Sequence, residues 1–354
     1  MKLKDRPEIR KLAKELGLGT PRDPLEAVRD YCRQKVDQFI KDFGDVRDLN
    51  QLLDIVSSRL GVRFEEVHSD DELRALSSRY LSKGEPIFGN LHTELDDKTD
   101  AVLIHLKNAK PWERKYVAVI DCRGHKAWRA YFSKWHEIAH ILSSPAQLTF
   151  NFRRTPTEKV DPIEQVVDRV AGDHAFYSPV FMPPLAKQLR NMGRLTFEVV
   201  DNLRASVCCG ASREATIRGA VARCSHPQLF MIADYALKKA EERALRQLGL
   251  FPEQKRFVPK LRPVQVIGNR IASEAGLWIH PNMEVPPASI IAEAYDGVYG
   301  YEAVYRRENL GWWTHSRGKL DDMVIWVEAL KSGDRVLALI SRVLGTGNMG
   351  AERA

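Results

Sequence analysis

Cysteine is scarce in this sequence. The five that occur (Cys32, Cys122, Cys208, Cys209 and Cys224) are odd in number, few for 354 residues, and form no C-x-x-C pair. A disulfide framework is therefore excluded, and a reducing cytoplasm is the expected compartment. No stretch of about 18 uncharged apolar residues occurs, so no membrane-spanning helix is expected. The opening Met1-Lys2-Leu3-Lys4-Asp5-Arg6 leads into no apolar run, and no secretory signal is expected either. There is no internal repeat and no low-complexity tract. Neither charge sign dominates: 54 Lys and Arg against 47 Asp and Glu leave a net +7, spread along the chain. Such a mild basic bias permits an anionic partner without selecting one.

What is present is enough apolar material, 44% of residues, for two domains with real cores. Apolar residues at helical spacing run from about Leu25 to Phe43, and Asp48-Leu49 opens a second helix through Leu60. Gly61-Val62-Arg63-Phe64 turns the pattern extended, and the Val- and Ile-rich runs Ala101 to Leu106 and Lys115 to Asp121 read as strands. From Lys126 the period is helical again, with Trp128, Phe132, Trp135, Ala139 and Leu142 on one stripe, until Ser143-Ser144-Pro145 stops it. A further helix is expected from Asp161 to Phe176, and more helices from Thr196 to Leu248. The proline- and base-rich stretch Phe251 to Val264 reads as a linker. Beyond it, short apolar runs and a hairpin loop at Lys331-Ser332-Gly333-Asp334 predict a small strand-rich domain.

The chemistry is concentrated in His136-Glu137-Ile138-Ala139-His140. On a helix, positions i and i+4 lie about 40° apart and about 6 Å along the axis, so both imidazoles can grip one ion. Glu137 projects about 100° from His136, beside the ion, where its carboxylate can hold and deprotonate a water. A plain helix with two surface histidines is the competing reading. Catalytic zinc usually takes three protein ligands and keeps one position open. Glu164, 24 residues beyond His140 on the next helix, is the expected third ligand, and Asp168, one turn later, is placed to fix a ligand imidazole from behind.

The helical front, the turn into strands, His136-Glu137-x-x-His140, Glu164 to Arg169 and Phe181-Met182-Pro183-Pro184 together resemble the ImmA/IrrE family of metallopeptidases over about Asp48 to Cys224. In that family the third ligand lies in an E-x-x-A-[DN]-x-F-A helix followed by an apolar segment ending in Met-Pro. Glu164, Asp168, Ala171 and Met182-Pro183 match, while Val167 and Val170 stand at packing positions where Ala and Phe are usual. Gly210 to Ala215 with Arg218 also resembles the family's helix pair after the site.

The resemblance implies a zinc-dependent endopeptidase that cleaves a transcriptional repressor, usually of the helix-turn-helix type, and so relieves repression. The alternative is a metal-stabilised regulator that binds repressor or DNA without cutting. Nucleic acid is the less favoured partner, although Thr196 to Cys224 could form a helix-turn-helix with Arg213, Arg218 and Arg223 facing phosphate. The strand from Lys115 to Asp121 could offer an edge for an extended substrate. His174 and Tyr177, about 15 and 20 Å past Glu164 along an unbroken helix, read as structural. The oxyanion donor is unassigned, with Tyr131, His125 or a group from the C-terminal domain as candidates. The aromatics after residue 265 (Trp278, Trp312, Trp313, Trp326, Tyr295, Tyr299, Tyr301, Tyr305) suggest a β core filled with rings, or else a recognition surface.

The expected fold class is α+β: a mostly helical zincin-like domain with a small antiparallel sheet, plus a smaller strand-rich C-terminal domain. The expected boundaries are 1–45 for an N-terminal helical segment, 46–250 for the metallopeptidase domain, 251–264 for the linker and 265–354 for the accessory domain.

Overall fold

A computed structural model of the chain describes residues 3–143, 152–154, 161–247, 257–315 and 318–343. Helices α1 (Pro7–Glu15), α2 (Pro24–Lys41) and α3 (Leu49–Leu60) open it, followed by β1 (Val62–Val67), α4 (Asp70–Leu81), α5 (Leu91–Glu94), β2 (Ala101–His105) and β3 (Tyr116–Asp121). Then come α6 (Ala130–Ser143), β4 (Phe152–Arg154), α7 (Pro162–Ala175), α8 (Ser178–Met192), α9 (Phe197–Ser206) and α10 (Arg213–Arg223). The remainder is β5 (Gln228–Ala236), α11 (Lys239–Gln247), β6 (Lys260–Gly268), α12 (Arg270–Glu274), α13 (Ile290–Tyr295), β7 (Val304–Asn309), the short pair β8 (Thr314–His315) and β9 (Gly318–Lys319), β10 (Val324–Ser332) and β11 (Arg335–Arg342). Among the described residues no helix is long and apolar enough to cross a membrane.

Local chemistry sets the helix ends. Asp48 Oδ1 accepts from the Asn50 and Gln51 amides at 2.9 and 2.8 Å, supplying the orphan donors at the start of α3, and Gly61 closes that helix at φ 69°. Ser69 caps α4 in the same way. The expected helix from Lys126 begins as a 3₁₀ turn, Gly124–Arg129, so Trp128 falls outside the apolar stripe and is 73% exposed.

The chain divides into two compact units, Met1–Pro184 with Leu203–Thr216, and Leu185–Asn202 with Ile217–Ala354. In the first, four strands pair in the order β1-β3-β2-β4. The sheet is mixed instead of antiparallel as expected. β1 and β3 run parallel because the chain between them crosses over through α4, α5 and β2, whereas β2 is antiparallel to both β3 and β4. β3 is thus internal and has no edge for a substrate; the edges are β1 and β4. One face of the sheet packs Val67, Val102, Val117 and Val119 against Leu73, Tyr80 and Phe88. The other packs Val62, Leu103, Ala118, Ile120 and Cys122 against Ile141 of α6. The N-terminal helices belong to this unit and are no separate segment: the Arg29 guanidinium of α2 grips both Asp173 oxygens of α7 at 2.7 and 2.8 Å.

The second unit holds an antiparallel sheet in the order β6-β5-β11-β10-β7. Two expectations are corrected here. The apolar run Gln228–Ala236, expected as helix, is a central strand, and a short continuous run of this kind has no period that separates strand from helix. Residues 260–264, expected as linker, are strand β6; Pro263 is tolerated because β6 is an edge strand and its pairing shifts register there. Residues 251–256 lie outside the described residues. The hairpin loop joins β10 to β11, with Gly333 at φ 61°. The core is mainly aliphatic (Met231, Ile291, Ile325, Val327, Ile340), and of the four C-terminal tryptophans Trp313 alone is fully buried. Trp326 lies under the guanidinium groups of Arg194 and Arg307, at 4.3 and 4.7 Å from its ring centroid.

Glu328 of β10 accepts a hydrogen bond from the Phe197 amide at the first turn of α9, 3.0 Å away. Burial pushes its pKa up from 4.5 to about 7, against the opposing pull of that bond and of Arg194. A raised acid pKa in the folded state makes stability fall as pH climbs from about 4.5 through about 7, with the full penalty above that. Glu328→Gln keeps an acceptor for Phe197 and should flatten the slope. Unfolding free energies from urea titrations should change between pH 5 and pH 8 by up to about 3 kcal/mol more in the native chain than in the variant.

Candidate metal centre

The sequence Ala-Tyr-Phe-Ser-Lys-Trp-His-Glu-Ile-Ala-His-Ile-Leu-Ser makes α6 a core helix, and every residue from Trp135 to Ser143 is buried. His136 and His140, one turn apart, bring their Nε2 atoms to 3.1 Å, each side chain 1% exposed. α7 enters alongside. Asp161 caps it through the Ile163 amide at 2.7 Å and Pro162 occupies its first turn, which places Glu164 at the head of the helix. Glu164 Oε2 stands 3.2 Å from His136 Nε2, and Oε1 stands 3.5 Å from His140 Nε2. His136 Nδ1 donates to Asp168 Oδ1 at 3.0 Å, which turns the Nε2 lone pair towards Glu164 and His140.

The three nitrogen and oxygen donors lie within 4.8 Å of one another. A tetrahedral ion with bonds of about 2.0–2.1 Å separates its donors by about 3.3 Å. The 3.1 Å between the two imidazole nitrogens, and the 3.2 and 3.5 Å from them to the two Glu164 oxygens, lie close to that separation, so the cluster has the size of one coordination shell. Two imidazoles and a carboxylate suit zinc, and the same set also admits other first-row divalent ions. The donors fit the ion. Glu164 and Asp168 are partly exposed, at 36% and 51% of their side chains, so the α7 side of the cluster opens to solvent.

Glu137 is fully buried next to His136. Val167 and Val170, the two positions that depart from the usual pattern, are both fully buried, so they act in packing and leave the ligand face of α7 intact. Lys126 bonds Asp121 at 2.7 Å and the carbonyls of Asp96 and Thr99, which leaves Asp168 to His136. His174 is structural: its Nδ1 donates to the Val170 carbonyl at 2.7 Å, its ring stacks on Trp135, and burial lowers its pKa. Tyr177 donates to Asp37, and Tyr131 donates to the Ala175 carbonyl at 2.7 Å, so neither hydroxyl is an available oxyanion donor. Arg218, one of the three arginines expected to face phosphate, donates to Gln265 Oε1 at 2.6 Å.

Compared with known proteins, the chain matches no family model and no curated protein.

Sequence reasoning missed a second cluster, Glu66, His68 and Cys122. The only trace of it in the sequence is two ligand-type residues spaced by two at a strand end, which means nothing until the strand pairing is known. Asp168→Ala should weaken ion binding by about 10–100-fold without abolishing it, because it frees the orientation of His136 and removes no ligand. Competition against a chromophoric chelator measures this.

Proposed function

We propose that this chain is a zinc-dependent endopeptidase with a zincin-like catalytic unit, similar to the ImmA/IrrE metallopeptidases, acting on a helix-turn-helix repressor. The observation that carries the reading is the convergence of His136, His140 and Glu164 on one point, with the Glu137 carboxylate buried on the same helix. A divalent ion held there supplies Lewis-acid polarisation of a peptide carbonyl and acidifies a water.

The chain's own groups do the rest. Asp168 holds the His136 ring in position through Nδ1. Glu137 accepts a proton as water adds to the carbonyl carbon, and delivers it to the departing amine nitrogen as the C–N bond breaks. β4, an edge of the sheet, presents backbone donors and acceptors on which an extended substrate segment can pair antiparallel. Local unfolding or a flexible loop in the repressor is what makes such a segment accessible.

The test is to mix the zinc-loaded chain with helix-turn-helix repressors of its own organism, any encoded beside its gene first, and look for fragments on a gel. Fragments that appear with zinc and vanish with chelator support cleavage. Altered operator binding by intact repressor would instead support a non-cleaving regulator.

A further inference from the structure

A second set of ligand-type side chains meets on the other side of α6. Parallel pairing sets Glu66 against Ile120 and Val67 against Asp121, and the Cys122 amide continues the ladder to the Val67 carbonyl at 2.8 Å. Side chains alternate along a strand, so Glu66, His68 and Cys122 share one face of the sheet at its end. Cys122 Sγ lies 3.7 Å from Glu66 Oε2, His68 Nε2 lies 3.9 Å from the same oxygen, and all three atoms fall within 4.8 Å of one another. Lys134 Nζ engages the other carboxylate oxygen, Oε1, at 2.6 Å, which leaves Oε2 directed at the thiol and the imidazole. Lys134 precedes His136 by two residues, about 200° around the helix, so this cluster and the histidine pair lie on opposite faces of α6.

We propose that Glu66, His68 and Cys122 form a second, separate binding site for a thiophilic divalent cation of the zinc type. Thiolate, imidazole and carboxylate together select a borderline-soft ion over magnesium or calcium. A tetrahedral ion with a sulfur bond of about 2.3 Å places sulfur and oxygen about 3.5 Å apart, and nitrogen and oxygen about 3.3 Å apart. The observed 3.7 and 3.9 Å close to these values by rotations of Glu66 and His68, both exposed side chains. Binding releases the Cys122 thiol proton to solvent; the thiolate and carboxylate then balance the ion, and Lys134 keeps Oε1. His68 sits between β1 and the Ser69 cap of α4, so the ion would pin the β1–α4 turn to the end of β3.

Cobalt(II) is the probe, because only a site with sulfur gives a thiolate-to-cobalt charge-transfer band in the near ultraviolet, and the histidine pair has none. The full chain, stripped with chelator and kept reduced with a phosphine, is titrated with Co²⁺. Two ions per chain and a band saturating with one of them are expected. Cys122→Ser should lose the band and one ion; His136→Ala should keep the band and lose the other. His68→Ala, a change at an exposed residue that spares the fold, should weaken the band-forming ion at least about tenfold. A folded native chain without the band, a band that survives Cys122→Ser, or cobalt affinity unchanged in His68→Ala would overturn the proposal.

Discussion

Glu137→Gln is expected to lower peptide-bond cleavage by about 10²–10⁴-fold, the usual contribution of a positioned general base, while the chain still binds its ion. The substitution is nearly isosteric, which matters because Glu137 is fully buried and a change in volume would disturb α6. The amide cannot accept the proton from water, yet the three ligands of the ion are untouched. Cleavage rate and zinc content must be measured on the same preparation. Loss of cleavage with full zinc occupancy assigns the base. Undiminished cleavage contradicts the assignment, and loss of both would make Glu137 a structural residue.

The second large effect concerns stability. An ion that binds the folded chain alone stabilises it by about 2.7 kcal/mol at 100 times its dissociation constant. For a unit of this size that corresponds to a rise in Tm on the order of 5–10 °C over chelator-treated protein. His140→Ala should abolish the rise, since it removes one of three ligands from a helix that still packs through Trp135, Ile138 and Leu142. Measured in a Cys122→Ser background, the shift reports the His136, His140 and Glu164 cluster alone. Equal melting temperatures in zinc and in chelator would show that nothing at this cluster couples to folding.

The His136, His140 and Glu164 cluster was legible in the sequence because its geometry is local. His136 and His140 are related by one helical turn, and Glu164 lies in the first turn of a helix that its own cap, Asp161, defines. Such short-range relations survive without knowledge of the fold. The elements that escaped depend on distant partners. Gln228–Ala236 is a strand because β11 and β6 flank it, and Pro263 lies in a strand because that strand is at an edge. The parallel pairing of β1 with β3 has no signature in either segment, and the Glu66, His68 and Cys122 cluster exists only through that pairing. The C-terminal rings misled for a related reason: counting aromatics does not say which face of a strand they occupy, and Tyr305 and Trp312 turn out largely exposed while aliphatic residues fill the core.

Helices α6 and α7 share one point in space, between His136, His140 and Glu164. Anomalous scattering at the zinc edge from crystals of the zinc-loaded chain addresses it directly. The expected result is a peak about 2.0–2.2 Å from His136 Nε2, His140 Nε2 and a Glu164 carboxylate oxygen. No peak at that position in zinc-saturated crystals, with Glu164 bonded only to the imidazoles, would contradict it.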